Sequence, residues 1–177
     1  GIPWWVWKAL LSIRFIHKIV YFLTQPLLAL IVFVSLFSFY HLPSIFDSIK
    51  LDETTHGVFT FVLFISAMLM YWPMMNKIEG QRQMKSLYKI VYILGNAVLI
   101  TPACALIIFA DTPLYQTYSN ADTWLKAMEL CVPSTTLSSL SLSGPELFTN
   151  MSAVADQQVG GVLMKIIQEI IFGVILF

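Results

Sequence analysis

Charge is scarce in this chain: ten Lys and Arg with ten Asp and Glu make up 11% of its 177 residues. A soluble domain of this length carries roughly a quarter charged residues, so a bilayer is the expected solvent. Neither sign is in excess, and with no basic patch or tail, nucleic acid is not an expected partner. Cysteine is limited to Cys104 and Cys131, far apart and in no CxxC pattern, so neither a disulfide framework nor a structural zinc site can be read from them. Also missing are a Gly-x-Ser-x-Gly elbow, a His-Glu-x-x-His pair, a Walker loop and any matched pair of carboxylates, and the chain is read as non-enzymatic. There is no signal-peptide pattern and no internal repeat. The chain opens Gly1-Ile2-Pro3 rather than at Met, so it is expected to be a piece of a longer one.

What fills the chain instead is apolar, 58% of all residues, arranged in long uncharged runs. Crossing about 30 Å of hydrocarbon takes about 20 such residues, and four runs qualify, at 19–40, 56–75, 86–110 and 157–177. The expected fold is therefore all-α, a polytopic helical membrane bundle forming a single domain over 1–177. Pro26 is tolerable inside the first span if neighbours satisfy the freed carbonyl. Gly95, Asn96, Thr101 and Pro102 suggest close helix contact and a kink in the third. Ahead of the first span, the aromatic and basic stretch at 4–18 reads as an interfacial helix that anchors in lipid without crossing. Lys8, Arg14 and Lys18 share a side with Lys77, Arg82, Lys85 and Lys89, which predicts that loop 76–89 is cytoplasmic and loops 41–55 and 111–156 extracytoplasmic. Within the latter, the Ser/Thr-rich run at 133–145 looks poorly structured.

His41 ends the first span and His56 begins the second, so both belong at one membrane surface on consecutive antiparallel helices. At about 1.5 Å per residue, Met164 sits about 12 Å below Asp156, and Cys104 about 10 Å below Asp111. All four side chains can converge in the outer half. Imidazole with thioether or thiolate suits Cu(I), while sparse carboxylates argue against calcium or magnesium. His41, His56 and Met164 are accordingly the candidate metal ligands, with copper the metal. The plainer reading is that a histidine at a helix end bonds the last carbonyls. Met68, Met70, Met74 and Met75 read as core filler, and Cys104 as an inert packing thiol. Lys165 and Glu169, four apart in the last span, share a helix face and can pair there, either as a structural clamp or as part of a proton path. Few further polar partners extend such a path, which weakens a metal, ion or proton-coupled transporter as the alternative function.

Several strings together carry a resemblance: Tyr40-His41-Leu42-Pro43 with Phe46-Asp47, Trp72-Pro73, Thr101-Pro102, Asp111-Thr112-Pro113-Leu114-Tyr115, and Asp156-Gln157-Gln158-Val159-Gly160-Gly161. In order and spacing they resemble the CtaG family, the multi-span assembly factors of bacterial cytochrome c oxidases, over nearly the whole chain. The resemblance implies a multi-pass protein of the bacterial cell membrane whose partners are lipid and the oxidase subunit being assembled, without fixing an oligomeric state. It further implies a chaperone-like role in maturing the oxidase copper centre, with His41, His56 and Met164 at the matching positions. The resemblance also implies further spans upstream of Gly1, one of them carrying His and Met. The sequence departs from the family after Met164, where Lys165-Ile166-Ile167-Gln168-Glu169 stands in place of the Trp-Val-Pro-Gly of many members.

Overall fold

The computed structural model describes residues 12, 14–75, 84–130, 132–133, 135–136 and 151–176. Lys8, Lys77, Arg82, Cys131, most of the stretch at 4–18 and most of the Ser/Thr-rich run lie outside the described residues.

Pro26 sets the first architectural fact. It has no N–H to donate and crowds the residue before it out of helical geometry, and Gln25 sits in an extended conformation at φ −61°, ψ 125°. The chain therefore stops one helix and starts another: α1 spans Arg14–Leu23 and α2 spans Pro26–Tyr40, with Pro26 in the first turn, where no donor is missed. Thr24 closes α1 by donating its hydroxyl to the Val20 carbonyl at 2.6 Å. The stretch at 19–40, expected to be one span, is instead a pair of helices bent by 73°. The 15 residues of α2 reach only about 22 Å, short of the hydrocarbon thickness.

Among the described residues, three helices are long and apolar enough to cross on their own: α4 (Glu53–Met75), α5 (Ser86–Ile108) and α8 (Ala153–Leu176), and the bent pair makes a fourth candidate span. Between α2 and α4 lies the short α3 (Pro43–Lys50), and after α5 come α6 (Gln116–Ser119) and α7 (Ala121–Met128). Among the described residues every regular element is helical. Local chemistry sets several ends. Asp52 accepts from the Thr55 N–H at 2.8 Å ahead of α4, Asn120 from the Asp122 N–H at 3.0 Å ahead of α7, and Ser152 from the Ala155 N–H at 3.3 Å ahead of α8.

The main core joins four helices: Leu30 and Phe33 of α2, Met70 and Met74 of α4, Tyr92, Ile93, Ile100 and Cys104 of α5, and Phe172 of α8. Met70, Met74 and Cys104 are thus packing residues. In lipid such contacts stabilise through close van der Waals fit rather than release of water, and Tyr92 adds a polar tie by donating to the Met70 carbonyl at 3.0 Å, in the turn that Pro73 interrupts. The opposite faces carry large exposed apolar side chains, among them Phe61 and Phe64 on α4, Leu94 and Val98 on α5, and Ile170 and Val174 on α8. Water would penalise such faces and lipid does not. The chain is a helical membrane bundle.

Lys165 and Glu169 form the predicted intrahelical pair at 2.7 Å. The ammonium also crosses to α5, donating to the Ala97 carbonyl at 3.1 Å and to the Thr101 hydroxyl at 3.0 Å. Lys165 is therefore a tether between two spans.

Candidate functional site

Where α2 ends, a run of packed rings begins. Tyr40 stacks on Phe59 of α4 and meets Phe46 of α3 edge-on, and Phe46 packs against Tyr115 with centroids 4.4 Å apart. Phe46, Ile107 and Tyr115 make a second small core, with Met164 packed against it. Asp47 holds the start of α6 in place. One carboxylate oxygen accepts from the Thr117 N–H at 3.0 Å and the Thr117 hydroxyl at 2.6 Å, and the other from the Gln116 N–H at 3.0 Å. The Tyr115 hydroxyl donates to the His41 carbonyl at 3.0 Å. Burial, reinforced by the negative charge of Asp47, pushes that hydroxyl up to about 12, so it remains a donor across the physiological range.

The Asp-Gln-Gln-Val-Gly-Gly run supplies the opposite wall. A helix leaves its last carbonyls without partners, and two glutamines answer those at the end of α5: Gln157 reaches Ile107 at 3.4 Å, and Gln158 reaches the Ala110 carbonyl just beyond it at 3.0 Å. The Gln157 side-chain oxygen also accepts from the Leu114 N–H at 2.8 Å. One turn further in, Gly161 lies against Ile107 and Ile108 so closely that a Cβ there would sit 2.9 Å from Ile108 Cγ1.

These walls border a cavity of about 360 Å³, lined by His41 and Phe46 on one side, Ile107 and Tyr115 on another, and by Met151 with α8 from Ala153 to Met164 on a third. The volume is that of about a dozen waters, far more than one ion requires. His41 is buried and its ring is oriented by Phe37, 4.3 Å away between centroids. Its Nδ1 lies 2.7 Å from the Phe37 carbonyl. A carbonyl can only accept, so Nδ1 carries the proton and Nε2 of the neutral ring keeps its lone pair. Burial, which favours the neutral form, holds the imidazole below the usual histidine range, against a smaller opposing effect of the hydrogen bond to the Phe37 carbonyl.

Of the three ligand candidates, the structure brings His41 and Met164 to one cavity and leaves His56 outside its lining. His56 lies in the first turn of α4, with a buried Nδ1 that has no hydrogen-bond partner. Cys104 belongs to the main core. No group of three or more His, Cys, Asp or Glu side chains able to hold a metal ion occurs among the described residues, so a hard-ion or zinc-type cage is not what this cavity offers. Soft donors are what it does offer: the His41 imidazole and the thioethers of Met164 and Met151. Sequence reasoning missed Met151 and the anchoring roles of Asp47, Gln157 and Gln158. The repeated Gln after Asp156, at the mouth of a span, was the available signal for the last two.

The family model described as cytochrome c oxidase caa3 assembly factor matches residues 1–177. The chain belongs to this family, Caa3_CtaG. Among curated proteins and among solved structures nothing matches. Three of the five family strings of this Caa3_CtaG member lie at the cavity walls: Tyr40 to Asp47, Pro113 to Tyr115, and Asp156 to Gly161. This explains in packing terms why those residue types stand in that order.

Proposed function

We propose that this Caa3_CtaG protein is a non-enzymatic assembly factor that carries Cu(I) toward the copper centre of a caa3-type cytochrome c oxidase. The observation that carries the reading is that His41 and Met164, from helices distant in sequence, line one cavity, with the His41 Nδ1 proton committed to Phe37 and Nε2 left as a donor. A neutral nitrogen and a neutral sulfur form a soft set, which favours Cu(I) over zinc or the hard divalent ions. Copper here is cargo. Two protein ligands hold it less firmly than a closed four-ligand site, as delivery requires, and the spare volume admits ligating side chains of the receiving subunit.

The extracytoplasmic face is the expected side for this cavity, on the strength of the basic residues at the opposite ends of the spans, Lys85 and Lys89 among them. Lys165 and Glu169 serve this function as a structural clamp, since the ammonium is committed to α5 carbonyl and hydroxyl oxygens.

The test is Cu(I) uptake by the full-length protein in detergent under reducing conditions, in competition with a colorimetric Cu(I) chelator, alongside the copper content of oxidase purified from cells carrying each variant. His41→Gln and Met164→Leu are each expected to weaken uptake by at least about tenfold and to lower oxidase copper. His56→Gln is expected to change neither. Absence of Cu(I) uptake by the wild-type protein refutes the cargo role.

A further inference from the structure

A third soft donor lines the same cavity, and helix geometry forbids it from joining the other two on one ion. Met151 stands immediately before Ser152, whose hydroxyl accepts the Ala155 N–H and caps α8. It is 37% exposed, lines the cavity, and lies outside α8 at its N-terminal end. Met164 lies eleven residues inside the helix from Ala153, about 16 Å along the axis, and Met151 lies two residues further out. Two thioethers on one ion need their sulfurs within about 5 Å of each other, given metal–sulfur bonds of about 2.3 Å, and methionine side chains are too short to close that gap. The cavity thus holds soft donors at two depths: Met151 at the rim, and Met164 further in along α8, packed beside Tyr115, whose hydroxyl reaches His41.

The polar atoms between these depths are occupied. Both ends of the Gln157 amide are bonded to Leu114 and Ile107, and the Tyr115 hydroxyl is bonded to His41. Between rim and floor they present no strong competing ligand. Asp156, a hard carboxylate near the opening, suits Cu(I) poorly.

On the reading of the cavity as a Cu(I) carrier, we infer that Met151 is the entry ligand: it takes Cu(I) from the donor at the rim and passes it to His41 Nε2 and Met164 Sδ. The transfer is ligand exchange without redox. A bond from copper to the Met151 sulfur breaks as bonds to nitrogen and sulfur form below, and the ion stays Cu(I) throughout. Because Met151 is vacated at equilibrium, it governs the rate of loading and not the final affinity.

The experiment uses the full-length protein in detergent, mixed by stopped flow with a Cu(I)–chelator complex whose colour reports transfer, and then titrated to equilibrium with the same chelator. Met151→Leu is expected to slow loading about tenfold while leaving the equilibrium affinity at the wild-type value. Met164→Leu is expected to lower the affinity. Met68→Leu, a methionine of equal exposure remote from the cavity, is expected to change neither. X-ray absorption of the loaded protein should show the same sulfur count per copper in wild type and in Met151→Leu. If Met151→Leu loads at the wild-type rate, the entry role is refuted and the carrier reading stands. If it lowers the affinity or the sulfur count, Met151 is a resident ligand and the two-depth arrangement is wrong. Failure of the wild-type protein to take up copper instead removes the carrier reading itself.

Discussion

The adjacent glycines 160 and 161 make an internally controlled test of how α5 meets α8. A methyl at 161 would lie 2.9 Å from Ile108 Cγ1, 3.0 Å from Ile107 Cγ2 and 3.3 Å from Ile107 Cβ. Carbon atoms prefer about 3.5–4.0 Å, so about half an ångström or more of overlap must be relieved. Isoleucine is nearly fixed at χ1 in a helix, and the Ile107 Cβ moves only with its backbone. The two helices must therefore part, at a cost of about 1–3 kcal/mol. Alanine also favours a helix over glycine, by up to about 1 kcal/mol, which masks part of that cost. Gly160→Ala gains the same helix preference, and nothing lies within 4 Å of its added methyl. Comparison of the two variants cancels the propensity. Gly161→Ala should be less stable than Gly160→Ala by about 1–3 kcal/mol, read from unfolding midpoints in mixed detergent micelles under increasing SDS. Should the two variants unfold together, close approach is not what Gly161 provides, and the inference from helix spacing to residue choice fails.

Asp47→Ala removes the acceptor for three donors, two of them on fully buried Thr117, and should destabilise the loop over α6 and α7 by about 2–4 kcal/mol, visible as faster proteolysis between α5 and α8. His41 takes its proton at lower pH when folded than when unfolded, so its contribution to stability is complete above about pH 6.5 and declines as pH falls toward the lowered folded value. Unfolding midpoints across pH 7 to 5 should show this decline in the wild type and a flatter profile in His41→Gln. Lys165→Met strands Glu169 in the bilayer and should cost about 1–3 kcal/mol, whereas the double variant Lys165→Met/Glu169→Gln should recover part of that loss in the same SDS titration. Equal losses for single and double variants would show that the cross-helix bonds to Ala97 and Thr101 dominate.

Apolar run length made α4, α5 and α8 legible, because the bilayer imposes a length on any helix that crosses it. The 19–40 run failed as a single helix for a local reason that composition hides: Pro26 is indifferent to hydropathy but decisive for the conformation of Gln25. At the candidate site, the position of His41 at a helix end and depth counting to Met164 anticipated the cavity they share, whereas the same counting also drew in Cys104, which lies in the main core. Nor was His56 separated from His41 and Met164, because lateral position around a bundle has no signature in run length. The Asp47 anchor links residues 70 positions apart, and Gln158 reaches across 48, so no local pattern announces either. Met151 was hidden for another reason: its place at the rim follows from the Ser152 cap, and a lone methionine before a span carries no pattern of its own.

The glutamine bonds from α8 to the end of α5 have a consequence for how the two spans are aligned. Gln157 and Gln158 stitch the two helix ends to each other directly, and Gly161 seats them one turn below. The height of Met164 relative to Ile107 is therefore set by these side chains, and the register of the two spans is written into five consecutive residues, Gln157 to Gly161.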